Sequence, residues 1–275
     1  MSGPVRVITP EGGPAALGEA PTWWAREELL IWTDILQRQF HLYDPTTRRD
    51  RAVKTVMPIT RVLCRGTDLI AVTPEGLCRL DPLSGALRPF AWAADLPPGS
   101  RFNDAAIDGA GRIWAGTIGA PGRSGDGRLY RHDSANGLVL MGEGYDACNG
   151  IGFSLEQSAL YLTDTRRRAV LTFDYDAVSG SIGVMRVLRE FGGSEGYPDG
   201  LSVSATGSLW HAMWDGGCLA ETLPCGATGR IHPLHVQRPT ALAFTPHGVF
   251  VTTAGGGQPG ADDGALIEID RTVFD

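Results

Sequence analysis

Residues 111–133 read GRIWAGTIGAPGRSGDGRLYRHD. A Gly-centred turn leads into a short apolar run, a polar tip follows, and a second strand-like run closes on Asp133. Five other stretches repeat the arrangement: ELLIWTDILQRQFHLYD (28–44), DLIAVTPEGLCRLD (68–81), ALYLTDTRRRAVLTFDYD (159–176), GSLWHAMWDGGCLAET (207–222) and GVFVTTAGGGQPGADDGALIEID (248–270). Successive copies begin roughly 40 to 50 residues apart, the period of a four-stranded propeller blade. Helical periodicity is nearly absent. One such blade cannot bury both its faces, so the six copies predict closure into a ring. The expected fold is an all-β, six-bladed β-propeller of four-stranded antiparallel blades around a central channel, as a single domain over residues 1–275. VRVI at 5–8 is expected to add the outer strand of the last blade and fasten the ring. A β-sandwich is the competing architecture and accounts poorly for six in-phase copies.

Composition agrees with many turns and a substantial core. Of 275 residues, 43% are hydrophobic and 20% charged, and 37 Gly with 18 Pro are spread along the whole chain. A net charge of −7 leaves no basic stripe to neutralise phosphates, so no nucleic-acid partner is expected. The one dense basic run, Arg166 to Arg168, reads as a solvated turn. No secretory leader and no apolar run of about 20 residues is visible, so no membrane partner is expected. Cys64, Cys78, Cys148, Cys218 and Cys225 are odd in number and lack CxxC spacing, which suits reduced thiols in a cytoplasmic protein. Cys218 and Cys225 could flank a hairpin, but spacing cannot establish a bridge. Oligomeric state is not encoded in any pattern of the chain.

The repeat gives polar residues a phase. About ten residues before each IW-like strand stand Glu19, the pair Ile59-Thr60, Asn103, Asn149, Asp199 and Thr240. In a propeller, equivalent positions of the innermost strands converge at one end of the axis. Glu19, Asn103, Asn149 and Asp199 are therefore expected to face one another across the channel mouth. Arg101, two residues before Asn103, points the same way by strand alternation. Asn and Asp also cap turns, and that is the alternative for each residue taken alone. By the same alternation Asp104 is expected to turn away from the axis into a supporting or turn role. Asp34 and Asp164 are expected to cap hairpins.

At these residues the chain resembles the SMP-30/gluconolactonase/LRE family of regucalcin-like propellers. The resemblance runs in order through LGEAPTWW with WTDI, RFNDAAIDGAGRIWAGT, GRLYR, NGIGFS with LYLTDT, FDYD, and PDGLSV with GSLW. It implies one divalent cation at the channel mouth, with metal-ligand roles falling on Glu19, Asn149 and Asp199. It also implies that Arg101 and Asn103 contact substrate. Glutamate, amide and aspartate oxygens are hard ligands, favouring Ca²⁺ while leaving Mg²⁺, Mn²⁺, Fe²⁺ or Zn²⁺ open. The implied activity is hydrolysis of a small sugar lactone to its aldonic acid. The cation would polarise the carbonyl and Asp199 would serve as catalytic base. Gluconolactone and pentonolactones such as arabinono- or xylonolactone fit equally. A non-catalytic calcium-binding or interaction propeller and a phosphotriesterase-like hydrolase are the alternatives.

Departures from the family fall around the pocket. Animal regucalcins carry a substrate-holding Glu after the third-blade strand, whereas GTIGAPGRS here has Pro121 near that place and no acid. His211 and Met213 replace smaller or aliphatic residues, and RPTALAFTPHGVFVTTA replaces an FGG-containing stretch. His232 and His235 flank Pro233 in a strand-like context and make a poor metal pair. The Gly run at 255–257 lacks the strand-to-helix setting of a phosphate cradle. Trp32, Trp114 and Trp210 are expected to pack between blades, and Trp23 or Trp24 to reach a pocket wall.

Overall fold

The computed structural model describes residues 5–134, 136–255 and 262–274. They form six antiparallel sheets and one short 3₁₀ turn. The first strand, β1 (Val5–Ile8), is held in reserve for the last blade. Blade 1 comprises β2 (Gly18–Trp24), β3 (Leu29–Asp34), β4 (Gln39–Asp44) and β5 (Arg49–Lys54). Blade 2 follows with β6 (Arg61–Arg65), β7 (Asp68–Thr73), β8 (Gly76–Leu80) and β9 (Leu87–Trp92). Blade 3 is β10 (Arg101–Ile107), β11 (Ile113–Ile118), β12 (Gly127–Asp133) and β13 (Gly137–Tyr145).

Blade 4 departs from four strands. It contains β14 (Cys148–Phe153), β15 (Ala159–Asp164), β16 (Ala169–Asp176), the two-residue β17 (Ser181–Ile182) and β18 (Arg186–Glu190). Both β17 and β18 pair with β16, so its outer edge is shared. Blade 5 is β19 (Tyr197–Val203), β20 (Leu209–Trp214), β21 (Cys218–Thr222) and β22 (Thr228–Pro233). Blade 6 has β23 (Pro239–Thr245), β24 (Gly248–Thr253) and β25 (Leu266–Ile269). Its fourth strand is β1, paired in the register Val5↔Ile269 to Ile8↔Leu266, as the VRVI reading expected.

The core explains why the ring closes. Buried apolar side chains gather into six clusters among the described residues, and each joins two adjacent blades. The cluster of Leu30, Trp32 and Tyr43 with Ala243, Phe250 and Leu266 seals blade 6 against blade 1. Every sheet thus buries both faces against its neighbours, which an isolated blade cannot do. Trp32, Trp114 and Trp210 lie at these seams, all at most 1% exposed, as expected. Truncating a Trp so buried costs about 3–5 kcal/mol.

A polar rivet accompanies the apolar seam between blades 3 and 4. Asp108 accepts hydrogen bonds from the Tyr175 hydroxyl (2.6 Å), Arg112 Nε (2.7 Å) and Trp114 Nε1 (3.0 Å). All five cysteines are free thiols, so Cys218 and Cys225 do not pair. No helix among the described residues is long and apolar enough to cross a membrane.

Candidate functional site

The innermost strands β2, β6, β10, β14, β19 and β23 line the axis, and the phase-matched polar residues stand at one end of it. In five of the six, pairing with the next strand slips at that residue. The slips lie between Glu19 and Thr22, Phe102 and Asp104, Cys148 and Ile151, Pro198 and Leu201, and Pro239 and Ala241. Only β6 pairs without a slip, and its phase residue, Thr60, lies just before the strand. A bulge inserts unpaired backbone and re-aims the side chains beside it. The small residues that follow let the strands crowd together. A Cβ on Gly150 would sit 2.2 Å from the Leu201 nitrogen, and one on Gly200 would sit 2.5 Å from the Ala241 Cβ. Ala20, directly after Glu19, has φ 52°, a left-handed conformation that strains a non-glycine residue.

The bulges bring Glu19, Asn149 and Asp199 together. The Asn149 side-chain amide donates to Asp199 Oδ1, and Asp199 is 5% exposed. Burial pushes the Asp199 carboxyl well above its usual range, the charges of Glu19 and Asp104 add to this, and the Asn149 hydrogen bond and Arg101 oppose it. Glu19 is pushed up to about 8, first by burial and then by Asp104, with the Ala20 N–H, Arg101 and Arg61 pulling the other way. Among the described residues neither carboxylate has an ion-pair partner; the Ala20 N–H (3.2 Å) and the Asn149 amide are their hydrogen-bond donors. Two acids walled in beside each other without a cation are an expensive arrangement.

That charge deficit is the test of whether a metal fits here, and the residues fit. Glu19, Asp199 and the Asn149 carbonyl form a hard-oxygen set with a double negative charge. No three His, Cys, Asp or Glu side chains converge as a metal group among the described residues. The set here has two acids and is completed by an amide.

Arg101 and Asn103 stand beside this set. Arg101 Nη1 donates to Asn103 Oδ1 (2.8 Å), and Asn103 Nδ2 donates to the Cys148 carbonyl (3.2 Å). The amide is therefore fixed in orientation and keeps one N–H and one lone pair for another partner.

Asn103 bonds toward blade 4 and Asp104 toward blade 2, so the two side chains part as alternation expects. The Asp104 charge is nonetheless felt by both Glu19 and Asp199. Its own partner is Arg61, with Nη1 at 2.8 Å from Oδ1. Sequence reasoning passed over Arg61 because blade 2 has no acid or amide in phase. Its signal was position: it follows Thr60 directly.

Other expectations resolve away from the mouth. Asp34 caps its hairpin through the Gln37 N–H (3.1 Å) and also accepts from Ala16 and Leu17. Asp164 instead accepts from the Asp146 and Ala147 N–H groups (3.0 Å each), clamping the entry to β14. Trp24 belongs to the core between blades 1 and 2. Trp23 lines a cavity of about 380 Å³ at the opposite end of the channel, with Arg61, Cys64, Phe153 and Gln157. His211 is fully buried, which lowers it to about 3, and it bonds Thr222. His232 packs on Phe274. Of the 255–257 glycines, residues 256 and 257 lie outside the described residues.

The family model that matches this chain is described as the SMP-30/gluconolactonase/LRE-like region and covers residues 17–255. Pentonolactonase XacC of Haloferax volcanii is 33% identical over 264 residues, covering 94% of this chain and 87% of that protein. The 6-deoxy-6-sulfogluconolactonase of Pseudomonas putida is 34% identical, covering 84% and 80%. Among solved structures, the calcium-binding protein regucalcin of Agrobacterium tumefaciens superposes with a TM-score of 0.88 at 23% identity. That alignment covers 97% of this chain and 93% of that one, a likeness of fold.

Proposed function

The chain belongs to the SMP-30/gluconolactonase/LRE-like family, and on that premise we propose that it is a metal-dependent lactonase opening an aldonolactone to the aldonic acid. The observation that carries the reading is the uncompensated carboxylate pair at the channel mouth, Glu19 and Asp199, with the Asn149 amide bonded to Asp199. The two lactonase relatives, both above 30% identity, support the same reaction class. The reading takes Glu19, Asn149 and Asp199 as metal ligands, Arg101 and Asn103 as substrate contacts, and one resident cation, with Ca²⁺ favoured by the donor set. It also takes residues 1–275 as one domain acting on a small sugar lactone in the cytoplasm.

When bound, a divalent cation supplies Lewis-acid polarisation of the lactone carbonyl. The residues do the rest. Arg101 and the free half of the Asn103 amide hold the ring hydroxyls, so that the carbonyl carbon faces Asp199. Asp199 accepts a proton from the attacking water as its oxygen adds to that carbon. The ring C–O bond then breaks, and the departing oxygen takes the proton back from Asp199.

The test is chelator-stripped protein reloaded separately with Ca²⁺, Mg²⁺, Mn²⁺, Zn²⁺ or Fe²⁺ and offered pentono- and hexonolactones while acid release is followed. Metal-dependent ring opening is expected. Rates that never exceed spontaneous hydrolysis with any ion overturn the lactonase reading. Cation binding without turnover would then point to the calcium-binding propeller, and turnover of a phosphotriester to the other hydrolase.

A further inference from the structure

The basic run Arg166 to Arg168 is not the freely solvated turn its composition suggests. It joins β15 to β16 at the mouth end of blade 4, where Cys148 pairs with Asp164. Arg167 sits 3.3 Å from Asp146 and 3.5 Å from Asp164. Arg168 lies over the Tyr197 ring at 3.7 Å and donates to the carbonyls of Gly192, Gly193 and Gly196. Arg166 differs from both. Its Nη1 makes only long contacts, 3.3–3.4 Å, to the carbonyls of Gly119, Arg123 and Asp146, and among the described residues it has no carboxylate partner. The side chain is otherwise exposed to solvent.

A lateral backbone path places Arg166 beside Arg101. Arg101 pairs with Ile118, Ile118 bridges to Ala147, and the Ala147 carbonyl accepts from Thr165. Gly119, which receives Arg166, therefore follows the residue opposite Arg101. Burial lowers the Arg101 guanidinium below its ordinary value; Glu19 and Asp199 draw it back, and the nearby charge of Arg166 lowers it further. Among the described residues Arg101 also has no ion-pair partner; its Nη1 donates to Asn103 and the Phe102 carbonyl.

The acids nearest these two side chains have partners of their own: Arg61 offsets Asp104 (2.8 Å), Arg123 offsets Asp126 (2.7 Å), and a divalent ion would offset Glu19 and Asp199. On either side of the Ile118–Gly119 backbone stand Arg101 and Arg166, neither of them in an ion pair among the described residues. We propose that Arg101 and Arg166 form a rim that selects lactones bearing an anionic group remote from the ester, with Arg166 determining that preference. Sulfonate, phosphate and carboxylate share the chemistry, because their oxygens match the fork of a guanidinium. The inference rests on the lactonase reading for the reaction, but the charge preference can be tested without turnover.

Gluconolactone should be compared with three counterparts carrying sulfonate, phosphate or carboxylate on the terminal carbon. Higher kcat/KM for at least one charged substrate is expected, and its identity names the preferred anion. Arg166→Gln should lower kcat/KM for that substrate about tenfold more than for gluconolactone, chiefly through KM, while Arg166→Lys should recover part of the difference. Equal losses on charged and neutral substrates, or no charge preference in the native protein, overturn the inference. Should no lactone be opened, calorimetry with Ca²⁺-loaded protein separates the two readings. Tighter binding of phosphogluconate than of gluconate, abolished by Arg166→Gln, sustains the anion rim while the lactonase reading falls. Equal binding of the two acids overturns the rim as well.

Discussion

Buried acids occupy two settings in this propeller, and the difference lies in what faces them. Asp34 and Asp164 end the second strands of blades 1 and 4 and are fully buried. Each receives backbone N–H donors: Ala16, Leu17 and Gln37 on Asp34, Asp146 and Ala147 on Asp164. Asp199 is nearly as buried, yet it receives one side-chain amide and faces two further acids. A carboxylate set against other carboxylates is driven toward protonation, as Asp199 is. The first setting holds loops in place. The second stores an electrostatic deficit that a cation and a reacting proton can relieve.

The sharpest way to break this comparison is to remove an acid from each setting. Asp199→Ala and Glu19→Ala should each lower lactonase kcat by about 10³-fold or more, with the folded structure kept by circular dichroism. Ca²⁺ should raise the melting temperature of the native protein and not of either variant, since an ion bound only to the folded state stabilises it. A variant retaining activity and the Ca²⁺ shift would remove the proposed centre. Asp34→Ala and Asp164→Ala should do the reverse. Each removes the acceptor of two or more backbone N–H groups, a loss of about 2 kcal/mol in urea denaturation, with the Ca²⁺ shift retained. An unchanged urea midpoint would break the distinction.

The smallest effect concerns Asp108, a third acid met by hydrogen-bond donors. Burial pushes its carboxyl up, but hydrogen bonds from Tyr175, Trp114 and Arg112 outweigh this and leave it below the ordinary 3.8. A depressed carboxyl contributes stability that is fully present above the unfolded value. It is lost as pH falls through the folded one. Stability of the native protein should therefore decline below about pH 4 more steeply than that of Asp108→Asn, measured by urea titration across that range. Parallel pH profiles would show that the rivet carries no net charge stabilisation.

Much of the architecture was legible in the chain because a propeller repeats one local solution. Turn residues and period-2 strands recur in each blade, a terminal Asp in most, and VRVI was expected at the open edge of the last blade. Glu19, Asn149 and Asp199 were legible for the same reason, since phase in a repeat is position in a ring. Asp104 and Arg61 were not. Their ion pair crosses from blade 2 to blade 3, and no local pattern in either blade encodes it.

Arg166 makes the same point from outside the repeat. Within RRR its residue type is indistinguishable from its neighbours, and composition assigns all three to solvent. The backbone pairings Arg101↔Ile118 and Ile118↔Ala147 set it beside Arg101, while Arg167 and Arg168 find acids, carbonyls and an aromatic ring elsewhere. The sequence by itself determined the blades, their number and the phase of the polar residues, because those depend on local periodicity. Only the tertiary structure decided which charges meet and which are left unmatched, because charge balance depends on distances across blades that no local pattern encodes.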